Sequence, residues 1–450
     1  MMKKVIVQIF MAALVLSASG QLFAQNVQSD SQRILSLDDC IRIALDNKVD
    51  VKIAQEQLNI ATAQNSSAFG QLLPRVSASI NGSRNVQGEG QRFFSGVEFT
   101  TPESQRNYYS SGLSVDQTLF AGGALHNGRK YSSLNLNQAE VAVNNAKERV
   151  VLNVTAAYFD VLRARELVQV YEKTLESSEA QVELVQERFN LGAVAKSDVF
   201  KAQTNAGNDR INLLQQENTL KMRQRDLNFA MGRNPATPVG LPEFDYESPK
   251  IPDLKEAKSL AITANKDLKE LEYQAQKSKV NVAIARANLL PSVGASFGYD
   301  RSGFQFEELY NDLSVNWSYR IGLGVSVPIF SRFNNRTTIQ TRQAQATMAE
   351  RDYEDAKLQV GMQVENLIDQ LETYEEIIRL NELNLQSAQE DLRLAKERYN
   401  IGQATLLDVL DAQAALTNAQ RILVYAKFDA KNQEARLEAV LGRLLDETDA

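Results

Sequence analysis

Residues 184–203, LVQERFNLGAVAKSDVFKAQ, and residues 394–413, LAKERYNIGQATLLDVLDAQ, agree at nine of twenty positions at a constant offset of 210. Any fold of this chain therefore has to house one long unit twice. The offset holds from Phe120/Phe330 through Gly232/Gly442. Upstream, Leu72-Leu73-Pro74 with Ala78-Ser79 matches Leu289-Leu290-Pro291 with Ala295-Ser296 at an offset of 217, so a seven-residue difference falls between Ser79 and Phe120. A unit of about 200 residues is too long for a solenoid repeat of roughly 20–50. Between the copies, GRNPATPVGLPEFDYESPKIPD (232–253) holds five of the nine prolines and reads as an extended connector. The chain divides into 1–24, a first copy 25–231, a linker 232–252, a second copy 253–442 and a tail 443–450.

Within each copy, apolar and small residues recur at alternating steps of three and four. The second copy places Ile378, Asn381, Leu385, Ala388, Leu392, Ala395 and Tyr399 on this seam, and the first places Val168, Tyr171, Leu175, Ser178, Val182, Val185 and Phe189 there. A 3.5-residue period is the packing period of a coiled coil, and small residues at alternate seam positions let helices approach closely. The spacing predicts helices over 123–190 and 334–400, which contain no proline and one internal glycine each, Gly128 and Gly361. At 1.5 Å per residue each could extend about 100 Å. Shorter helices are predicted over 37–73, 196–231, 253–290 and 406–441. Thr405-Leu406-Leu407-Asp408 and Ser36-Leu37-Asp38-Asp39 have capping-box spacing at two of these starts.

A different period occupies the space between. In Trp317, Tyr319, Ile321, Leu323, Val325, Val327 and Ile329 the odd positions are all apolar, and Ser318, Arg320, Gly322, Gly324, Ser326 and Pro328 alternate with them. Tyr109, Leu113, Val115 and Leu119 form the looser first-copy version, with partner strands at Val76, Ala78, Ile80 and at Val293, Ala295, Phe297, Tyr299. Strands are predicted over 76–86, 108–120, 292–301 and 316–330. Alternation of apolar with small or polar residues over about ten positions is the pattern of a transmembrane β-barrel, and Trp317 and Tyr319 suit an interfacial aromatic belt. Four strands cannot close a barrel and an open edge cannot sit in lipid, so the chain must oligomerise. A dimer would give eight strands, whose interior side chains fill; a trimer would give twelve, which a conducting channel favours.

The N-terminus carries Lys3 and Lys4, an apolar run from Val5 to Leu16, and small and polar residues ending at Ala24. This is the order of a secretory signal peptide, predicted to end before Gln25, and the apolar run is too short for the ~20 residues of a spanning helix. Composition then excludes much chemistry. Lys+Arg 49 against Asp+Glu 56 gives a net charge of −7, a poor match to a phosphate backbone, so nucleic acid is not an expected partner. One cysteine, Cys40, and one histidine, His126, leave no disulfide, thiolate cluster or His-rich metal site. No nucleotide loop or acid–base cluster is found, so the reading is not an enzyme, with no cofactor and no metal.

The leader, the duplicated helix–hairpin–long helix–helix unit, the Pro-rich middle, Leu-Leu-Pro before strands, Leu119-Phe120-Ala121-Gly122-Gly123 after one strand and Asp408-Val409-Leu410-Asp411-Ala412-Gln413 together resemble the TolC-like outer membrane efflux proteins. The likeness covers nearly all of the mature chain. It implies a mixed α and β fold: a long antiparallel α-helical coiled-coil barrel in the periplasm, plus four strands per chain in a trimeric 12-stranded transmembrane β-barrel in the cell outer membrane. It further implies a homotrimer in outer membrane lipid, a periplasmic adaptor and an inner-membrane pump of the resistance-nodulation-division (RND), ABC or major-facilitator (MFS) class.

By the same resemblance Asp408 and Asp411, three apart on one helix side, form acidic rings at the periplasmic aperture, where crowding would raise carboxylate pKa values. Tyr399 and Asp198 match the aromatic and acidic positions of the family's gate. Its arginine position is Ala404, a departure for which Lys196, Arg188 or Arg398 could substitute. Gly192 and Gly402, flanked by Arg188 and Arg398, mark helix tips where an adaptor would dock. Trp317, Tyr319, Ile321, Leu323, Val325, Val327, Leu113 and Val115 are the expected membrane-facing residues. A non-conducting periplasmic coiled-coil scaffold or adaptor would use the same helices, but would have no need of seven apolar residues on one strand face.

Overall fold

The computed structural model describes residues 34–445. The signal peptide and residues 446–450 of the tail lie outside them. In chain order the elements are α1 (Leu37–Asn47), α2 (Val49–Gly70), β1 (Arg75–Gln87), β2 (Gly90–Phe94), β3 (Val97–Thr101), β4 (Ser104–Ala121), α3 (Ala124–Asn190) and α4 (Lys196–Ala230). The second copy supplies α5 (Leu254–Ala264), α6 (Lys266–Ala287), β5 (Ser292–Gly303), a 3-10 turn (Phe306–Leu309), β6 (Trp317–Ser326), α7 (Asn334–Asn400) and α8 (Leu406–Leu441). Among the described residues no helix is long and apolar enough to cross a membrane.

The long helices run uninterrupted because nothing in them competes with the helical backbone, and their seams bury as coiled-coil packing demands. Between Ile378 and Tyr399, the residues at steps of three and four are buried or half-buried, and the rest are exposed apart from Lys396. Pairing runs in a row: α4 packs on α3, α3 on α8, and α8 on α7. At mid-length, Leu162 and Val154 of α3, Phe428 of α8, Leu227 of α4 and Cys40 of α1 share one core. Arg163 of α3 binds Asp429 of α8 at 2.8 Å across the two copies.

Two expected helices are each two. Residues 37–73 break at Lys48 and 253–290 at Asn265, both with extended backbone, ψ 129° and 124°. These breaks match at the 217 offset. At the second, Asn265 accepts from Leu268 N–H and donates to Val440 O at 3.0 Å, so its side chain starts a new helix. The break also places residue 47 or 264 against a left-handed glycine: a Cβ on Gly232 would lie 3.1 Å from Asn47, and one on Gly442 2.5 Å from the Ala264 carbonyl.

The connector is extended but strapped down. Arg165 donates to the carbonyls of Leu241 and Pro242 at 2.8 and 2.7 Å, and Phe244 packs on Phe159 and Phe428 with centroids 5.7 and 5.4 Å apart.

One antiparallel sheet has the order β1-β4-β5-β6, and β2-β3 form a separate hairpin. The seven-residue difference between the copies is thus an inserted hairpin in the first and a 3-10 turn in the second. The strand expected over 316–330 is shorter. Asn316 has φ +58°, which no strand accommodates, and Pro328 lacks the N–H a ladder needs, so β6 ends at Ser326 and Val327 lies beyond it. A register shift between Thr118 and Phe120 leaves Leu119 as the extra residue of a bulge, out of the alternation assigned to it.

Candidate functional site: a two-faced sheet and the helical tips

Register decides what each sheet face carries. Val76–Val115–Phe297–Ile321 and Ala78–Leu113–Tyr299–Tyr319 run side by side across all four strands. Trp317, Leu323 and Val325 share this face by the pleat. Ile321 is 76% exposed and Trp317 47%, the latter stacked on Tyr319 at 5.9 Å. Leu113 is exposed and Val115 half-buried. A continuous exposed apolar face of this size marks an interaction surface.

The opposite face carries Ser77, Ser79, Ser114, Gly112, Ser296, Gly298, Asp300, Ser318, Arg320, Gly322 and Gly324. Small residues there make room: a Cβ on Gly112 would meet Asp300 Oδ1 at 2.7 Å and one on Gly322 would meet Ser296 Oγ at 2.9 Å. Ser77 and Ser114 share a hydrogen bond of 2.7 Å. Among the described residues the outer edges of β1 and β6 have no strand partner.

At the far end of the helices, Gly192 and Gly402 adopt φ +74° and +76°. Each closes its helix with a pair of reversed bonds: Gly192 N–H to Phe189 O and Ala193 N–H to Arg188 O, repeated as Gly402 to Tyr399 and Gln403 to Arg398. Arg188 crosses between the copies. Its guanidinium donates to the carbonyls of Tyr399 and Asn400, both at 2.9 Å, and lies 4.5 Å from the Tyr399 ring centroid. It thereby satisfies the last carbonyls of α7 and sits favourably at that helix's negative end.

Within one chain the two gate candidates make separate contacts. Tyr399 is 4% exposed and packs with Val185, Val199, Leu392 and Leu406. Asp198 pairs with Lys201 of its own helix at 3.5 Å. Among the described residues no bond joins Tyr399 to Asp198, and Ala404 packs beside the same core. The sequence marks Arg188 as a tip residue and a possible gate substitute; its bonds to the neighbouring tip have no local signal.

Asp408 forms the capping box of α8: the Thr405 N–H donates to its Oδ2 at 2.7 Å and the Thr405 hydroxyl at 2.8 Å, while Asp408 N–H donates back at 3.3 Å. The Thr405 backbone N–H, then its hydroxyl, hold this carboxyl below the usual Asp range. Within one chain, hydrogen bonds to the charged form dominate. Asp411 is exposed one turn further on, and Arg398 is exposed at the second tip. Among the described residues no group of three or more His, Cys, Asp or Glu could hold a metal.

The chain matches the family described as outer membrane efflux protein over residues 40–233 and 258–443, one segment for each copy. It is 28% identical over 430 residues to the alkaline protease secretion protein AprF of Pseudomonas aeruginosa, covering 92% of this chain and 86% of that one. It is 22% identical to the probable outer membrane lipoprotein SilC of Salmonella typhimurium, over 89% of this chain and 84% of the other. The solved outer membrane protein VceC of Vibrio cholerae superposes with a TM-score of 0.79 at 21% identity, covering 90% of this chain and 96% of that chain.

Proposed function

The chain belongs to the outer membrane efflux protein family and resides in the outer membrane, and from that premise we propose that three copies form the exit duct of a tripartite export system. The observation that carries this reading is the open four-stranded sheet, apolar on one face and Ser/Gly-rich on the other, continuous with helices of 67 residues. In lipid the apolar face meets acyl chains, the unpaired edges must pair between copies, and the polar face lines water. Twelve strands leave a channel that eight would fill. The helices, about 100 Å long at 1.5 Å per residue, carry the duct across the periplasm.

The duct is passive: an inner-membrane pump of the RND, ABC or MFS class, joined through a periplasmic adaptor at the tips around Gly192 and Gly402, supplies energy and selects cargo. Arg188 holds the tip closed by clamping α7 to α3. Asp408 and Asp411, two from each of three chains, line the aperture with six carboxylates that concentrate cations.

Conductance of the purified protein in planar bilayers tests the reading. Divalent cations added on the aperture side should block current, and Asp408→Ala with Asp411→Ala should relieve the block. A protein that inserts and never conducts would overturn the duct; undiminished block in the double variant would overturn the acidic ring.

A further inference from the structure

A guanidinium sits on the apolar face of the sheet. Beyond Ala78–Leu113–Tyr299–Tyr319, the next row on that face is Ile80–Ser111–Arg301–Trp317, followed by Gly82–Tyr109–Gly303. The helices all join the other end of the sheet, at Arg75, Ala121, Ser292 and Ser326. A charge turned toward lipid is destabilising, yet Arg301 is only 4% exposed. What covers it is the connection from β5 to β6, residues 304–316, which doubles back onto the apolar face. Arg301 Nη2 donates to Glu308 O at 3.0 Å and also to Asp312 O. A Cβ on Gly303 would lie 2.7 Å from that of Glu308, so the close approach needs glycine there. Tyr109 meets the Phe306 ring at 5.7 Å, and Phe306 meets Tyr310 at 5.9 Å. The 3-10 turn thus rests on the two central strands, β4 and β5.

The connection buries Leu309 and leaves its other large apolar side chains outside. Phe306 is 46% exposed, Tyr310 57% and Leu313 69%. They adjoin the sheet's own aromatic pair, because Trp317 Nε1 donates to Ser314 O at 3.0 Å and its ring stacks on Tyr319. The exposed apolar surface of the sheet therefore continues onto the connection. Two carboxylates of the segment are occupied locally. Glu308 Oε2 accepts from Phe304 N–H at 3.2 Å, and Asp312 Oδ1 accepts from Ser314 N–H at 2.9 Å and from its hydroxyl at 2.6 Å. Polar groups satisfied within the segment lower the cost of leaving bulk water.

We propose that residues 304–316 form a shelf seated in lipid. Its partner is the interfacial layer of the outer leaflet, the headgroups and first acyl segments, which Phe306, Tyr310 and Leu313 enter while Arg301 holds the shelf against the sheet. Lipid is the occupant because the surface continues the face that meets acyl chains and lies at the sheet end farthest from the helices. Its aromatic rings also suit that layer, with an apolar body and, in Tyr310, a polar tip. The shelf rests on the reading of the sheet as membrane-spanning. It adds a connection that neither stands free in water nor folds over the channel mouth.

Fluorescence quenching of the full chain tests it, since Trp317 is the only tryptophan. In phosphatidylcholine vesicles brominated on the acyl chains near the headgroup, Trp317 should lose emission relative to unbrominated vesicles. With Trp317→Phe removing that signal, Tyr310→Trp should lose emission to a similar extent and stay protected from aqueous iodide. Ser318→Trp, on the Ser/Gly-rich face, should be reached by iodide and spared by bromine. Adding Arg301→Met, which keeps the length and drops the charge, should release the segment and reverse the Tyr310→Trp pattern while the protein still inserts. Tyr310→Trp reached by iodide and spared by bromine, with wild-type Trp317 quenched, overturns the shelf and leaves the membrane-facing sheet standing. Protection from both quenchers means that protein covers the segment, and also overturns the shelf. Trp317 spared by bromine overturns the membrane-facing sheet and the shelf together. Unchanged bromine quenching of Tyr310→Trp in the Arg301→Met background overturns the part given to Arg301.

Discussion

Removing the Arg188 side chain should loosen one helical tip without unfolding the molecule. Its guanidinium makes two hydrogen bonds of 2.9 Å to the carbonyls of Tyr399 and Asn400 and covers the Tyr399 ring at 4.5 Å. Charge-assisted hydrogen bonds contribute roughly 1.5–3 kcal/mol each when shielded, and the ring contact about 0.5–1. The site is half-buried, and water can replace the guanidinium at both carbonyls, so the net loss in Arg188→Ala is about 2 kcal/mol rather than the sum. At 1.4 kcal/mol per factor of ten, local opening of the tip becomes about 30-fold more frequent. Native-state hydrogen exchange reads this directly at the amides of Ile401, Gly402 and Gln403, whose bonds to Glu397, Tyr399 and Arg398 break when the α7 end frays. Exchange at mid-length amides around Leu162 and Phe428 should stay as in the wild type. Arg188→Lys, which keeps the charge but loses the fork, should fall between. Unchanged exchange at the tip, or an increase spread evenly along α3 and α7, would refute the clamp.

Other perturbations separate local from global effects. Gly122→Ala should destabilise severely, because φ is +59° and the new Cβ would lie 2.4 Å from the Ala287 carbonyl, whereas Gly128→Ala, with open space around it inside α3, should stabilise by about 0.5–1 kcal/mol; paired thermal unfolding checks both. Asp408 has a folded pKa below its ordinary 3.8, so its capping contribution is complete above that value and is lost as pH falls through the lower one; protection of the Thr405 amide should stay flat down to about that pH and then drop. Ile321→Arg places a charge on the exposed apolar sheet face and should cost about 2–4 kcal/mol of membrane insertion if that residue sits near the bilayer midplane, read as loss of protein from the outer-membrane fraction, while Ser318→Arg on the other face should insert normally.

The helices were legible because their information is local. The seam from Ile378 to Tyr399 is a period written in consecutive residues, and neither proline nor a glycine pair interrupts it. The capping boxes at Ser36 and Thr405 were likewise visible, and both form. What escaped was long-range. The breaks at Lys48 and Asn265 lie against Gly232 and Gly442, about 180 residues away in the chain. In the second copy the strand-to-helix corner is made by Arg332 and Phe333 at φ +52° and +64°, at the positions where the first copy has Gly122 and Gly123, so glycine could not mark it. The β2–β3 hairpin did have a signal: Ser95-Gly96, at φ +51° and +81°, between Phe94 and Val97 is a turn pair between apolar residues.

Sequence by itself determined that the chain is one unit used twice, that its helices are long, and that its strands have one apolar face, because periods of 3.5 and 2 are properties of neighbouring residues. Only the tertiary structure decided which faces are covered. Thr174, Ser177 and Gln181 on α3 and their repeats Asn384, Ser387 and Asp391 on α7 follow the same spacing, yet the first three are buried or half-buried and the others exposed, because burial depends on which helix lies alongside. Only the fold showed that, among the described residues, a single chain leaves one side of α7 exposed and the outer edges of β1 and β6 without a strand partner.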